Sequence, residues 1–168
     1  VAVAAASPSC GDESADVIAA RADALFQAGD YRQAADKYQA LVALQRPLYP
    51  PDQYPHGSLE LARSLFGLGR SLRASGDTAA AQTALEESLT MLQALYAPQD
   101  FPAGGVEKAG VLHRLGHIWE SQGWPAHAKA CLEESLVLSR RLYPPETYAD
   151  GHRDLAELLS CLGARAKA

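Results

Sequence analysis

The segment LYPPDQYPHG at residues 48–57 recurs as LYAPQDFPAG at residues 95–104 and as LYPPETYADG at residues 142–151. Each copy begins 47 residues after the one before it, since 95 − 48 and 142 − 95 are both 47. Connections between secondary-structure elements ordinarily vary, because they lie on the surface and tolerate change. A connection that keeps its leucine, its aromatic residue and its final glycine therefore predicts a chain built from repeated units.

The same step of 47 residues holds outside the connection. The recurring positions are Leu68-Gly69, Leu115-Gly116 and Leu162-Gly163, then Gly29, Gly76 and Gly123, then Ala34, Ala81 and Ala128. The tetrapeptide LEES occurs at residues 85–88 and again at 132–135. Because no insertion interrupts the step, equivalent residues are expected to occupy equivalent places in successive units.

Within a unit, the apolar residues follow helical spacing. The second unit carries a stripe of leucines at positions 61, 65, 68 and 72, and Gly76 then stands where a helix commonly ends. A second helix is predicted to begin between Asp77 and Ala79. In the third unit Pro125 stands at a predicted first helical position, where its missing N–H costs little. Each unit is thus predicted to be a helix, a tight turn, a second helix and the repeated loop.

The composition agrees with an all-α protein and restricts its partners. Hydrophobic residues make up 48% and charged residues 21% of the chain, which is typical of soluble globular proteins. The formal net charge of −5 argues against general binding to nucleic acids or to anionic membranes, which require excess lysine and arginine. No apolar run reaches the ~20 residues that a bilayer span needs. The three cysteines, Cys10, Cys131 and Cys161, lack the spacing of a disulfide framework or a zinc site.

A Leu-Gly pair in the first helix, a glycine seven residues later, and then an alanine and a large residue four apart resemble the tetratricopeptide repeat. The resemblance extends from about residue 14 to residue 166 and departs in the first unit, where Arg21-Ala22 replaces Leu-Gly. It implies an all-α, right-handed α-solenoid of three helical pairs and one terminal helix. The long units are similar to kinesin light chain repeats and to bacterial arrays. The expected organisation is a disordered or frayed segment 1–12, units of about 14–57, 58–104 and 105–151, and a helix at 152–166.

The resemblance also implies that one face of the first helices lines a concave groove. The residues expected there are Arg63, Phe66, Arg70, Arg73, His113, His117 and Glu120. The first four are spaced by three, four and three residues, so they share one side of a helix. Three arginines beside a phenylalanine would suit a peptide that carries carboxylates and an apolar anchor. The alternative is a charged face that only maintains solubility.

Other candidate motifs favour structural interpretations. His113 and His117 could both reach a metal, but Arg114 replaces the glutamate of the zinc-protease motif and no third ligand is evident. We therefore predict no metal site there, and expect partial protonation of the two imidazoles near neutral pH. Ala19 and Asp23 stand where a carboxylate clamp of the family would need lysine and asparagine, so that activity is not predicted.

Two further repeated features remain open to a functional interpretation. The pairs Glu86-Glu87 and Glu133-Glu134 could suggest acid–base chemistry, but their identical setting favours a solvated face. The loop aromatics Tyr54, Phe101 and Tyr148 are predicted to pack over the adjoining helix edges, with a peptide-binding rim as the alternative.

These observations predict a non-catalytic scaffold that binds a protein or peptide, without a cofactor. The alternatives are a regulatory or oligomerisation module of a larger enzyme, and self-association through the leucines of the last helix, Leu155, Leu158, Leu159 and Leu162. A cytoplasmic location is expected, although the alanine-rich start VAVAAASPSCG also resembles the end of a signal peptide.

Overall fold

A computed structural model of the chain describes residues 14–96 and 105–144. Six α-helices occupy this part of the chain: α1 (Ala15–Ala28), α2 (Tyr31–Gln45), α3 (Leu59–Ser75), α4 (Thr78–Leu95), α5 (Gly105–Ser121) and α6 (Pro125–Leu142). A short 3₁₀ helix, Arg46–Leu48, follows α2. No strand occurs within these two ranges, and the all-α prediction is confirmed. The terminal segment 1–12 and the helix expected at 152–166 lie outside the described residues.

The helices form the three predicted pairs, each joined by a tight turn. The turn glycines Gly29, Gly76 and Gly123 have φ angles of 86°, 99° and 78°, a region that residues with a Cβ atom rarely adopt. The second helices begin as the sequence indicates, with Asp77 accepting a hydrogen bond from the backbone N–H of Ala80 and Pro125 opening α6.

Successive pairs stack in chain order and so build an α-solenoid. Helix α2 packs against α3, and α4 packs against α5, while α3 also contacts the first helix on either side of it, α1 and α5. One apolar cluster joins the first pair to the second, and another joins the second to the third. Each pair thus buries apolar residues both between its own helices and against the neighbouring pair, as repeat proteins do.

Close contact within the second and third pairs depends on glycine. A Cβ atom at Gly69 would lie 2.6 Å from Leu85 Cγ, and one at Gly116 would lie 2.6 Å from Leu132 Cγ. Both leucines are fully buried. The prediction that these glycines allow close helix approach is confirmed; the equivalent Gly163 lies outside the described residues.

The two helices of the first pair pack through different residues at the equivalent positions. Ala22 replaces the glycine and is fully buried, and Tyr38 replaces the leucine. The Tyr38 ring turns towards α3, where a Cβ atom at Gly67 would lie 2.3 Å from its Cε1. The irregularity expected from Arg21-Ala22 is therefore accommodated by a tyrosine that packs on the next unit.

The repeated LEES sequence has a structural explanation. Ser88 Oγ donates a 2.7 Å hydrogen bond to the carbonyl of Ala62, and Ser135 Oγ donates a 2.7 Å hydrogen bond to the carbonyl of Ala109. Both serines are fully buried, so each links the second helix of its pair to the first through a water-excluded hydrogen bond.

The first copy of the repeated loop packs on α4 through glycine and not through its aromatic residue. Gly57 approaches α4 so closely that a Cβ atom there would lie 2.9 Å from Met91 Sδ. Tyr54 remains 42% exposed and meets the ring of Tyr49 edge-on, at a centroid distance of 5.1 Å. The packing predicted for Tyr54 is therefore not observed. Phe101 and Tyr148 lie outside the described residues, so for these two it stays a prediction.

Candidate peptide-binding surface on the first helices

Helices α1, α3 and α5 contribute the candidate surface, and residues 47 apart stand at equivalent positions on it. We call it the first-helix surface; it comprises Asp23 and Phe26 of α1, Arg63, Phe66, Arg70 and Arg73 of α3, and Glu107, His113, His117 and Glu120 of α5. Each of the seven residues predicted from the sequence falls on one of these helices. Their surroundings, however, divide them into groups with different chemical capacities.

Arg70 lies in a cluster that joins the first two pairs. Its guanidinium Nη2 donates to the Asp23 carboxylate and to the Tyr38 hydroxyl, the latter at 3.2 Å. The guanidinium carbon also lies 4.2 Å from the centre of the Phe26 ring, a cation–π distance. Arg70 is therefore held in a fixed orientation by three residues of the first pair.

Tyr38 completes this cluster from the buried side. Its hydroxyl donates a 2.6 Å hydrogen bond to Asp23 Oδ1. Burial raises the pKa of Tyr38 to about 12, and the hydrogen bond to Asp23 adds to the effect. The phenol accordingly stays protonated at neutral pH and acts as a hydrogen-bond donor to Asp23.

Arg63 joins the second pair to the third. Its Nη2 and Nε both contact Glu107 Oε1 of α5, at 2.6 Å and 2.8 Å. This exposed pair neutralises much of the charge that the sequence assigned to ligand binding. Arg63 thus contributes mainly to the contact between successive first helices, at the modest energy of a surface ion pair.

Arg73 differs from the other two arginines of α3. Its side chain is half-buried, and its Nε is shielded from solvent with no hydrogen-bond partner among the described residues. The Nε of Arg70 shares this property. A buried donor without an acceptor is costly, so a side-chain movement that brings either N–H group to an acceptor would be favourable.

Phe66 packs against Gly110 of α5, where the lack of a side chain leaves room for the ring. A Cβ atom at Gly110 would lie 3.0 Å from Phe66 Cζ. Phe66, Val106, Gly110 and His113 line a cavity of about 150 Å³ between α5 and the end of α6. A volume of this size accommodates one apolar side chain.

The two predicted histidines form a close pair on α5. His113 Nε2 and His117 Nε2 lie 3.1 Å apart, and the two rings are tilted by 52°. His113 is buried and His117 is half-buried. Glu120 Oε2 lies 3.7 Å from His117 Nδ1, so the last candidate residue is placed beside the pair.

The glutamate pairs of the second helices show no convergence towards a reaction site. Glu87 contacts Arg46 at 2.7 Å, Glu134 contacts Lys108 at 2.8 Å, and Glu133 faces Lys129 at 3.8 Å. The fourth, Glu86, accepts a 2.8 Å hydrogen bond from the side-chain amide of Gln82. This arrangement agrees with the predicted solvated face.

Three other features bear on the chemistry of residues 14–96 and 105–144. No helix there is long and apolar enough to cross a bilayer. Nor does this part of the chain bring three or more histidine, cysteine, aspartate or glutamate side chains together in a metal-binding group. Burial raises the pKa of the Cys131 thiol, in agreement with a role as a small apolar residue.

The similarity of this chain to known proteins agrees with its fold. A family profile described as "Tetratricopeptide repeat" matches residues 62–91, which run from the first turn of α3 to near the end of α4. This helical pair is therefore similar to a tetratricopeptide repeat. No curated protein sequence matches it.

Two solved structures share the fold. A putative kinesin light chain from Podosopora anserina with nearly identical TPR-like repeats aligns at a TM-score of 0.63 and 20% identity, over 90% of this chain and 70% of that one. The type III secretion translocator chaperone SycD of Yersinia enterocolitica aligns at a TM-score of 0.61 and 17% identity, over 96% of this chain and 100% of that one. At these identities the likeness concerns the tetratricopeptide-repeat fold.

The sequence reasoning missed the residues that pair with the arginines. For Asp23, the sequence pattern indicates only that a carboxylate clamp is absent, and it does not assign Phe26, Tyr38 or Glu107 to a binding surface. One signal was available: Asp23 and Arg70 are 47 residues apart and have opposite charge, so equivalent positions on neighbouring first helices could have been compared.

Proposed function

We propose that this chain is a tetratricopeptide-repeat protein that acts as a non-catalytic scaffold and binds an acidic peptide or helix across its first-helix surface. The observation that carries the proposal is the presence of Arg70 and Arg73 on one helix, each with an Nε–H group that has no acceptor among the described residues. Movement of either side chain would open its Nε–H to a carboxylate of a bound peptide, and arginine is well suited to grip a carboxylate with more than one donor.

The cluster around Arg70 supports this proposal because it holds a cation ready for a ligand. Asp23 and the Phe26 ring orient the guanidinium before any ligand arrives, so little side-chain entropy is lost on binding. Asp23 also offsets part of the positive charge of Arg70. Arg73 is therefore the residue from which we expect the larger contribution to anion binding.

Phe66 supports the apolar half of the proposal. The cavity that it lines lies between α5 and the end of α6, and its volume fits one apolar side chain. A ligand that places an apolar residue beside Phe66 and a carboxylate beside Arg73 would use both features at once. Seven residues of α3 separate these positions, which is about two helical turns, or about 10 Å.

The fold supports an interaction role and not a catalytic one. Stacked helical pairs offer an extended surface suited to a peptide or helix. One solved protein with this fold is a translocator chaperone. Glu87, Glu133 and Glu134 of the second helices each face a different cation and do not converge, so they offer no support for acid–base chemistry among the described residues.

The test is fluorescence anisotropy with short synthetic peptides that combine carboxylates with a leucine or phenylalanine. We expect Arg73→Glu to weaken the best peptide at least about tenfold, which corresponds to about 1.4 kcal/mol. The matched control is Arg32→Glu, which makes the same charge change at an exposed position of α2. Equal weakening of peptide binding in both variants would mean that only the net charge of the protein matters, and it would contradict the proposal.

A further inference from the structure

The histidine pair of α5 has the spacing of a metal-binding site, although the sequence motif predicts no metal there. We propose that His113 and His117 together bind a divalent transition-metal cation of the kind that prefers imidazole, such as Zn²⁺ or Ni²⁺. This inference is independent of the proposed peptide binding.

The distance between the two Nε2 atoms carries the argument. Imidazole nitrogens bind Zn²⁺ at about 2.0–2.1 Å, so two of them on one metal lie about 2.9 Å apart at a right angle and about 3.4 Å apart at the tetrahedral angle. The observed separation of 3.1 Å falls between these values. The pair therefore needs no large rearrangement to chelate a cation.

The alternative is a simple hydrogen bond between the two rings, and titration with metal ions distinguishes the two arrangements. In a metal site both Nε2 atoms must be free of protons, so the proton of His117 must reside on Nδ1. Glu120 Oε2 lies 3.7 Å from that Nδ1 and favours a proton there. A carboxylate behind a metal-binding histidine is a common arrangement, because it fixes the tautomer and the ring orientation.

Access and coordination number define the kind of site. The side chain of His117 is 26% exposed, so a cation can approach from its side. The described residues supply no third ligand in a preformed group, which leaves the remaining coordination positions to water or to a bound molecule. We thus expect a site of modest affinity, and binding should weaken as the pH falls because protons compete for the imidazoles.

The experiment is isothermal titration calorimetry of the untagged full chain with Zn²⁺ and, separately, with Ni²⁺. We expect one equivalent to bind, and expect His117→Gln to weaken binding at least about tenfold, or about 1.4 kcal/mol. His56→Gln, in an exposed loop, is the matched control and should leave binding unchanged. Because His113 is buried, His113→Gln is interpreted only after circular dichroism confirms its helix content, and the more accessible His117 provides the deciding variant.

Two results would overturn the inference. One is wild-type affinity in His117→Gln, which would assign the cation to other ligands. The other is the lack of any binding by the wild-type chain at about 1 mM cation, a concentration that would detect a site worth about 4 kcal/mol.

Discussion

Replacement of Gly69 by alanine should destabilise the protein because α3 and α4 are too close for a methyl group. The new Cβ atom would lie 2.6 Å from Leu85 Cγ, 2.9 Å from Leu85 Cδ2 and 3.2 Å from the carbonyl oxygen of Ala81. Leu85 is fully buried, and its Cγ is held close to the backbone, so the side chain cannot simply turn away. The carbonyl belongs to the backbone of α4 and can move only with that helix.

The size of the effect follows from two opposing contributions. Insertion of a methyl group into a packed core costs about 1–3 kcal/mol, and the upper end applies here because the nearest atoms are constrained. Alanine favours a helix over glycine by about 1 kcal/mol. The net expectation is a loss of about 2 kcal/mol in the free energy of unfolding.

A matched control is available on α5. A Cβ atom at Gly110 would lie 3.0 Å from Phe66 Cζ, the far end of a half-buried ring, and 3.6 Å from the two Cε atoms. The ring can move outwards, so Gly110→Ala should retain wild-type stability or gain up to about 1 kcal/mol from its helix propensity.

Urea unfolding followed by circular dichroism measures both variants under the same conditions. Gly116→Ala should repeat the result of Gly69→Ala, since its Cβ atom would meet Leu132 Cγ at the same 2.6 Å. Stability equal to wild type in Gly69→Ala, or an equal loss in Gly110→Ala, would refute the explanation based on close helix contact.

Two further predictions concern buried polar groups. Ser88→Ala and Ser135→Ala should each lower the free energy of unfolding by about 1 kcal/mol in urea titrations, because each removes a buried hydrogen bond between the two helices of a pair. No loss in either variant would contradict a structural role for the repeated serine. The pKa of Tyr38 is raised from 10.0 to about 12, so the stability due to its protonated form is present below about pH 10 and is lost as the pH rises towards about 12. Unfolding measured from about pH 9 to about pH 12 should therefore show a smaller alkaline loss in Tyr38→Phe than in wild type, and parallel curves would contradict this assignment.

The fold was largely predictable because the same sequence pattern recurs in successive units. Gly76, Asp77 and Pro125 mark helix ends through local backbone chemistry, which needs no knowledge of the rest of the chain. The close helix contacts at Gly69 and Gly116 were predictable because the same small residue recurs at the same place. The packing of the first pair was less predictable, since Tyr38 contacts Gly67 in the next unit. No sequence pattern connects these two residues.

The chemistry of the candidate surface was predictable only in part. Helical spacing correctly places Arg63, Arg70 and Arg73 on α3, but it cannot reveal which acidic residues lie opposite them. Those partners come from α1 and α5 and depend on how far one helix slides along its neighbour, as the contact of Arg63 with Glu107 illustrates. The distance between His113 and His117 also depends on side-chain rotamers, which the sequence does not specify.

The measurement that tests the proposed function most directly is site-specific photo-cross-linking to the best-binding acidic peptide. Two exposed valines form a matched pair, with Val106 on α5 beside the Phe66 cavity and 52% exposed, and Val137 on α6 and 58% exposed. Each is replaced in turn by p-benzoylphenylalanine, and the cross-linked peptide is quantified by mass spectrometry. Binding across the first helices predicts cross-linking from position 106 and little from position 137. Efficient cross-linking from position 137 alone, or no binding by any acidic peptide, would contradict it.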